Sequence, residues 1–410
     1  MNMKKIRLGN YISLITDYHS GGSYQTLKEK TKILHKPDYG VYVRTINFES
    51  DNFDSDLVYC DEASYNFLEY SHVKENDILM NKIANPGSVY LMPKVSYKAT
   101  CGLNLFLIRL KDISQRYMYY VMKHNEKYIK SKAHGTSTKT ITKDEVRDLS
   151  FYIHENTDDQ IKVEKTLSII EQKIAINKKI NKEIENMAKE LYDYWFIQFD
   201  FPGADGKPYK SSGGKMIYNP ILKTEIPEGW EVKKLGDILT KNTCSFDYKS
   251  VQPTIDLSVM PSDSIALSQI NSSNNFTSNL FVMKKKDILF GSIRPYLHKA
   301  GIAPCDGVVA GTVHSYRIRN SNDYNFALLT ICRSQFFDYA LNISYGTKMP
   351  IVNSDDILDY KVPYSAEVSK LFNEIDIADC ITNLISENHR LTKLRDELLP
   401  LLMNGQVSVK

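Results

Sequence analysis

Apolar side chains recur at alternating spacings of four and three residues along two stretches of the chain. The first series is Val163, Leu167, Ile170, Ile174, Asn177, Asn181, Ile184, Ala188, Leu191 and Trp195. The second series is Ile377, Ile381, Leu384, Asn388, Leu391, Arg395, Leu398 and Leu402. This alternation is the heptad pattern of helices that pack on one another. It predicts two long helices, one within residues 157–198 and one within residues 365–410.

An asparagine occupies the same position in each series. Shifting the first series by 207 residues superimposes Asn181 on Asn388. Buried between helices, such an asparagine lowers stability but restricts register and partner orientation, whereas on a solvated face it would do neither. Because one register holds in both series, we favour the interpretation that Asn181 and Asn388 fix the register of a helix pair.

Short strand-like runs precede each predicted helix. They lie in residues 1–156 and in residues 227–364, and examples are Val41–Ile46, Leu103–Leu110 and Val313–Arg319. Shorter helices are expected at Arg116–Ala133 and Asn325–Asn342. Thr142 and Glu145 have the spacing of a capping box, and Asn353 takes the equivalent cap position in the second segment. The mixture of strands and helices indicates an α+β fold.

The two strand-rich segments repeat the same motifs about 210 residues apart. Lys74, Asp77 and the apolar pair after them reappear at Lys284 and Asp287. Gly135-Thr136 reappears as Gly346-Thr347. So long a period indicates a duplicated domain, because solenoid repeats recur every 20 to 50 residues. Residues 199–226, which are rich in glycine, proline and serine, form the expected linker between the copies.

Composition is that of an ordinary globular protein. Of 410 residues, 42% are hydrophobic and 25% charged, and the net charge is +3. This mildly basic balance permits a nucleic-acid partner without requiring one. The six cysteines are scattered without a C-x-x-C spacing, so we expect reduced, mostly buried thiols, no metal site and a cytoplasmic location. The sequence contains no run of 18 apolar residues, so it predicts no membrane span.

Motifs for catalysis are not evident. The sequence has no phosphate-binding G-x-x-x-x-G-K-[ST] loop, and Asn219-Pro220 lacks the second proline and the aromatic residue of a DNA-amino methyltransferase motif. Carboxylate–lysine triplets occur only where a long helix or a strand start is predicted. We therefore expect a chain that is not an enzyme and that holds no cofactor.

Basic and hydroxyl side chains instead suggest a DNA-binding surface. Lys132, Lys139 and neighbouring basic residues surround Gly135, Thr136 and Ser137, a composition that suits phosphate contacts, although a solvated basic face would look the same. Arginine and lysine favour guanine edges, and asparagine and glutamine favour adenine edges. The candidate DNA-binding residues are Ser23, Tyr24, Gln25, Arg44, Lys82, Asn85, Lys132, Thr136, Lys139, Arg294, Tyr296, His298, Lys299, Thr347 and Lys348.

Four strings together resemble the specificity subunit of type I restriction-modification systems. They are Asp287–Ile302, Asp306–Ile318, Glu190–Pro202 and Leu394–Val407. The resemblance spans nearly the whole chain, and the first strand-rich segment matches least closely.

The resemblance implies two mixed α/β target-recognition domains in tandem, residues 1–156 and 227–364, with pseudo-two-fold symmetry. Residues 157–198 and 365–410 would be two antiparallel, coiled-coil-like spacer helices. Each domain would read half of a bipartite site in double-stranded DNA. Two modification (methyltransferase) subunits would dock on the helices, and restriction (nuclease and translocase) subunits would join the complex.

Two other functions stay open at this point. A DNA methyltransferase or nuclease fragment would perform its own catalysis, which an assay on the isolated chain would reveal. A two-headed coiled-coil adaptor would bind proteins through its globular segments, and target DNA would then not compete with those proteins.

Overall fold

The computed structural model describes residues 2–136, 138–247, 250–277 and 279–407. Contacts between residues divide the chain into two units. Unit 1 is Met1–Glu171 with Lys393–Lys410, and unit 2 is Gln172–Thr392. Across the described ranges, no helix is long and apolar enough to cross a membrane.

The described residues of unit 1 form ten strands and seven α-helices, and the last of these helices continues into unit 2. The strands are β1 (Met3–Arg7), β2 (Ile12–Asp17), β3 (Gly40–Val43), β4 (Val58–Cys60), β5 (His72–Val73), β6 (Ile78–Asn81), β7 (Val89–Leu91), β8 (Lys98–Cys101), β9 (Leu105–Leu110) and β10 (Ser150–His154). The helices are α1 (Tyr24–Lys30), α2 (Thr45–Glu49), α3 (Glu62–Phe67), α4 (Gln115–His124), α5 (Glu126–Lys130), α6 (Lys143–Asp148) and α7 (Thr157–Tyr192).

Unit 2 repeats this plan after a short hairpin. Its strands are β11 (Met216–Asn219), β12 (Thr224–Pro227), β13 (Glu231–Lys234), β14 (Leu239–Lys241), β15 (Pro253–Ile255), β16 (Asn271–Ser272), β17 (Leu280–Met283), β18 (Ile288–Gly291), β19 (Ala300–Ile302), β20 (Gly307–Ala310), β21 (Val313–Ile318) and β22 (Lys361–Tyr364). Its helices are α8 (Leu235–Ile238), α9 (Tyr324–Ile331), α10 (Ser334–Asn342), α11 (Ser354–Leu358), α12 (Ala366–Asn373) and α13 (Ile377–Met403), the last of which continues into unit 1.

The sheets of the two units have the same strand order. In unit 1 they are β2-β9-β6-β7 and β4-β3-β8-β5, with β1 paired to β10. In unit 2 they are β14-β21-β18-β19 and β16-β15-β20-β17, with β13 paired to β22. In each unit, the second of these four-stranded sheets contains one parallel pairing, β3 with β8 in unit 1 and β15 with β20 in unit 2. The predicted duplication and the α+β class are therefore confirmed.

Several predicted element boundaries are wrong in detail. The strand predicted to reach Ile46 ends at Val43, because Arg44 begins helix α2. The helix predicted at Arg116–Ala133 is broken at Asn125 into α4 and α5, and that at Asn325–Asn342 is broken into α9 and α10. The hairpin of β11 and β12 lies within the segment expected to be linker. The capping box of Thr142 and Glu145 is present, whereas Asn353 begins α11 without a side-chain cap bond.

Both long helices form where the heptad pattern placed them. Within unit 1, Val163 and Leu167 of α7 share a core cluster with Leu402 and Met403 of α13. Every predicted seam position of α7 is buried or partly buried. In unit 2, Ala188 of α7 packs in the same cluster as Ile381 of α13. The apolar seam predicted from the sequence is therefore the packed face of α7.

Asparagines lie inside the helix contact of unit 2. The side-chain amide of Asn177 donates to Asn388 Oδ1 at 2.9 Å and to Glu387 at 2.7 Å. Asn388 in turn donates to the carbonyl oxygen of Ile174 at 3.3 Å. Asn181 is also buried. Asn388 thus bonds to Asn177, one helical turn before Asn181, a partner that the shared heptad position did not identify. Because Asn177 bonds to Asn388 while Ala188 packs with Ile381, the two helices run antiparallel in this unit.

One buried carboxylate in each unit ties neighbouring strands together. In unit 1, Arg109 of β9 donates two hydrogen bonds to Asp77, at 2.8 and 2.7 Å. In unit 2, Arg317 of β21 bonds to Asp287 in the same way, at 2.9 and 2.8 Å. Bidentate pairs of this kind are both stronger and more directional than single hydrogen bonds. The repeated aspartates therefore hold the turn before β6 and β18 against the adjacent strand.

We expect Asp287→Asn to loosen β18 and β21. The amide would replace a carboxylate acceptor with a donor facing the guanidinium, and a lost bond to a charged group costs about 1.5–3 kcal/mol. Hydrogen exchange followed by mass spectrometry should show amides of these strands exchanging roughly 10-fold faster or more. The strands of unit 1 should be unaffected, as should all strands in the control variant Asp338→Asn, whose side chain is exposed. Unchanged exchange in β18 would contradict the role of Asp287.

Candidate nucleic-acid interface

Two loops meet at one edge of unit 1. Residues 82–88 follow β6, and residues 133–142 precede α6. The backbone N–H of Ala84 donates to the carbonyl oxygen of Lys139 at 3.1 Å, and that of Ile141 donates to the carbonyl of Lys82, also at 3.1 Å. We call these residues the unit 1 loop pair. Their pairing brings the exposed side chains of Asn85 and Lys139, which are far apart in sequence, onto one surface.

The same arrangement recurs in unit 2. Residues 292–299 follow β18 and residues 344–353 precede or begin α11, and together they form the unit 2 loop pair. The N–H of Arg294 donates to the carbonyl of Pro350 at 2.8 Å, and that of Val352 donates to Ser292 at 2.9 Å. Arg294, Thr347 and Lys348 are exposed there. The structure therefore brings together residues that the sequence could only name separately.

The repeated glycine has a structural role in both loop pairs. Gly135 has φ +114° and Gly346 has φ +94°, a region that side-chain-bearing residues seldom adopt. A Cβ atom on Gly135 would lie 2.5 Å from the carbonyl oxygen of Thr138. Thr136, next in the chain, is exposed, and Ser137 lies outside the described residues. The Gly-Thr motif therefore marks a tight loop in which the residues on both sides of the glycine are exposed.

Among the remaining unit 2 candidates, Tyr296 is exposed, whereas His298 and Lys299 bond to neighbouring groups. Tyr296 is 50% exposed in a single 3₁₀ turn between Arg294 and His298. His298 bonds to Asp263 at 2.8 Å and stacks on Phe337, with ring centroids 4.6 Å apart.

Lys299 donates to the carbonyl oxygen of Leu257, and burial lowers the pKa of its ammonium group. Of the predicted set, Arg294 and Tyr296 are therefore better placed than His298 or Lys299 to contact a ligand.

Lys82 does not point freely into solvent. It is 7% exposed, and its ammonium group donates to Asp17 Oδ2 at 2.5 Å. Lys143, at the start of α6, donates to Asp17 Oδ1 at 2.8 Å and to Ser20 at 2.8 Å. One carboxylate thus bonds to two lysines, of which Lys82 belongs to the unit 1 loop pair and Lys143 begins α6. Burial alone would raise the pKa of Asp17, but the hydrogen bonds from Lys143 and Lys82 outweigh it and lower this pKa to about 2.

The other unit 1 candidates lie on local structures of their own. Ser23 caps α1 by accepting from the N–H of Thr26, and Tyr24 is 77% exposed. Gln25 donates to Glu29 at 3.2 Å. These three residues form an exposed group after the Asp17 turn.

Arg44 and Lys132 are each engaged by neighbours. Arg44 donates to the carbonyl oxygen of Asp56 at 2.7 Å, and Lys132 lies 5.2 Å from the ring centre of Tyr128. Other basic residues near Gly135 are paired with acids, as Arg147 is with Asp144. The basic surface expected from the sequence is consequently smaller than its lysine count suggests.

Sequence reasoning missed two residues of this region. Asp17 and His19 contact Lys82, and 65 residues separate Asp17 from Lys82 along the chain. No local motif carries that relationship, so only the folded chain reveals it.

The thiols also differ from expectation. All six cysteines are free, but only Cys60 and Cys101 are buried, and Cys244 and Cys380 are exposed. The expectation of mostly buried thiols was therefore wrong. Within the part of the chain that the structure describes, no group of three or more His, Cys, Asp or Glu side chains could hold a metal ion.

Comparison with known proteins shows which family this chain resembles. Residues 18–186 match the family model of the type I restriction modification DNA specificity domain. The specificity subunit of the type I restriction enzyme MjaIX from Methanocaldococcus jannaschii is 24% identical over 322 residues, which cover 74% of this chain and 72% of that protein. The EcoDI specificity subunit from Escherichia coli is 25% identical over 300 residues, covering 68% of this chain and 66% of that protein.

A solved structure shares the fold over the full length. The S subunit of a type I restriction-modification system from M. genitalium aligns with a TM-score of 0.57 and 16% identity, over 98% of this chain and 96% of that one. Residues 18–186 thus resemble the type I restriction modification DNA specificity domain, and the relatives of the chain are specificity subunits of type I restriction enzymes. The resemblance seen in the sequence is confirmed.

We expect Asp17→Asn to flatten the acid dependence of unit 1 stability. Asp17 has a pKa of about 2 when folded, against about 3.9 in an unfolded chain. A lowered pKa stabilises the fold above the unfolded value, and this contribution, roughly 2 kcal/mol, is lost as the pH falls from about 4 towards about 2.

Amide exchange of β2, measured between about pH 5 and about pH 2.5 and corrected for intrinsic rates, should report the loss. Wild-type protein should lose protection more steeply than Asp17→Asn. The exposed Asp38→Asn should behave as wild type. Equal slopes for wild type and Asp17→Asn would contradict this assignment.

Proposed function

We propose that this chain reads a bipartite site in double-stranded DNA, with one loop pair for each half-site. The observation that carries the proposal is the recurrence of one backbone arrangement with different exposed side chains. Unit 1 presents Asn85 and Lys139, and unit 2 presents Arg294 and Lys348. A shared frame with different side chains is what two readers of unlike sequences require.

The chemistry of these side chains fits a division of tasks. Arginine donates two hydrogen bonds to guanine O6 and N7, and asparagine pairs with the N6 and N7 edge of adenine. Lysine and threonine chiefly contact phosphate, which positions the protein without reading sequence. We therefore assign Arg294 and Asn85 to base contacts, and Lys139, Lys348, Thr136 and Thr347 to the phosphate backbone.

We further propose that modification subunits dock on the long helices. On the unit 2 part of α7, Ile176, Ile180 and Met187 are 54%, 40% and 68% exposed, and Tyr194, in the helical turn that follows α7, is 36% exposed. Their spacings of four and seven residues place them on a face away from the buried seam. Beside them, a groove of about 570 Å³ is lined largely by apolar side chains of α7 and the start of α13. An exposed apolar face of this kind favours a protein partner.

The complete assembly would contain two methyltransferase subunits and, in a restricting system, nuclease and translocase subunits. The proposed partners place the chain in the cytoplasm. Catalysis would then reside in the partners, while this chain selects the site.

We predict that Arg294→Gln relaxes one half-site only. Loss of a bidentate base contact costs about 1–3 kcal/mol of discrimination, or roughly 5- to 150-fold. The chain should be produced with its modification subunits, and its methylation sites mapped across a genome by sequencing. Sites should then tolerate other bases at one position of the half read by unit 2.

Lys348→Gln, on the facing loop of the same pair, is the matched control. It should weaken binding to all sequences and reduce the salt dependence of binding by about one phosphate contact, with an unchanged motif. If Arg294→Gln left the motif intact while Lys348→Gln changed it, the assignment of tasks would be reversed.

We predict that Ile180→Glu combined with Met187→Glu releases the modification subunit. Burying a carboxylate in an apolar interface is unfavourable, so retention of that subunit by the tagged chain should fall roughly 10-fold or more. Lys179→Glu, a charge change on the same exposed helix surface but outside the apolar face, should retain it. Full retention by the double variant would place the docking surface elsewhere.

A further inference from the structure

His19 lies at the open side of the Asp17 cluster. Its side chain is 45% exposed, while that of Asp17 is only 8% exposed. The Nδ1 atom lies 3.1 Å from the ammonium nitrogen of Lys82. The ring packs edge-on against Tyr18, with centroids 5.4 Å apart. His19 is therefore held on its inner side and open on its outer side.

The contact with Lys82 determines which ring nitrogen carries the proton. An ammonium group can only donate hydrogen bonds, so Nδ1 must accept. The imidazole is then neutral, and its single N–H is at Nε2. Both oxygens of Asp17 are already occupied, Oδ2 by Lys82 and Oδ1 by Lys143 and Ser20. Asp17 is therefore engaged by the lysines and does not act as the acceptor for an Nδ1 proton.

The charges around the ring keep it neutral. Lys82 and Lys143 carry two positive charges against the single negative charge of Asp17, and a protonated imidazole would add a third positive charge. Burial lowers the pKa of His19, and the charges of Lys82 and Lys143 lower it further, against the opposing effect of Asp17. His19 thus presents a neutral donor of fixed identity.

The cluster also joins His19 to the unit 1 loop pair. The carbonyl of Lys82 accepts from the N–H of Ile141, and Lys143 is the first residue of α6. Lys82 therefore connects His19 to the loop pair, because its side chain contacts Nδ1 of His19 and its backbone is bonded to Ile141. In unit 2 the position equivalent to Lys82 is Ser292, whose hydroxyl donates to the carbonyl of Thr312. The lysine-backed histidine is consequently a feature of unit 1.

We propose that His19 is a specificity-determining residue of unit 1, in which the Nε2–H group donates to an acceptor on a DNA base edge. Guanine O6 or N7, adenine N7 and thymine O4 are such acceptors in the major groove, and cytosine N4 is not. A neutral donor of fixed tautomer can bond to the acceptor edges of bases but not to their donor edges. This inference rests on the proposed function and adds a base-reading residue to it.

The test is His19→Phe in the chain produced with its modification subunits. Phenylalanine keeps a planar ring but has no N–H. A net hydrogen bond of about 0.5–1.5 kcal/mol corresponds to a loss of discrimination of roughly 2- to 13-fold. Methylation mapping should show relaxed preference at one position of the half-site read by unit 1, with the other half-site unchanged. The exposed His35→Phe in the same unit should retain the full wild-type motif.

A second measurement does not depend on methylation. Two-bond ¹H–¹⁵N spectra of the histidine-labelled full chain at neutral pH, with His19 assigned from His19→Phe, should show the Nε2–H tautomer. An Nδ1–H tautomer or an imidazolium would overturn the proposal. So would an unchanged motif in His19→Phe, or a uniform loss of methylation at all sites. A wild-type complex without any sequence preference would instead contradict the proposed function itself.

Discussion

The carboxylates of Asp77 and Asp287 are the constraint on which each unit depends. Each is almost fully buried, accepts two hydrogen bonds from an arginine, and also accepts from the backbone N–H three residues earlier. A buried charge is tolerated only when its oxygens are satisfied. The turn that carries the aspartate and the strand that carries the arginine therefore keep a fixed position relative to each other. The strand that leaves this turn, β6 or β18, leads directly to a loop pair.

Because β6 and β18 are held in place, the loops that follow them begin at fixed positions. The side chains of these loops can therefore differ between the two units. The backbone contacts from Ala84 to Lys139 and from Arg294 to Pro350 use main-chain atoms only. Such contacts tolerate sequence change, because any residue other than proline supplies the same donor and acceptor. Beneath the loops, by contrast, Lys82 and Ser292 differ completely in charge. The frame is thus maintained by atoms that do not depend on side-chain identity.

How much the sequence reveals depends on the range of each interaction. The heptad seam and the capping box of Thr142 are local patterns, and both were predictable. The repeated Asp77 and Asp287 were visible as a motif, but their arginines lie 32 and 30 residues further along the chain, so their role was not. The break at Asn125 was missed because helical composition continues through it. His19 was missed because its significance comes from Lys82, which is distant in sequence.

In the helix contact of unit 2, polar side chains lower the stability of the packing but restrict the register of the two helices. Apolar residues at Asn177 and Asn388 would bury more hydrocarbon and avoid desolvating two amides. In the observed register, Asn388 instead bonds to Asn177 and to the carbonyl oxygen of Ile174, while Oδ1 of Asn177 is buried without a partner. A shift of the helices that breaks these two bonds would leave further buried polar groups unsatisfied, at a cost of about 1–3 kcal/mol for each group. The apolar seam alone would tolerate such a shift, since its side chains are interchangeable. We therefore propose that these asparagines favour one register among several that hydrophobic packing would accept.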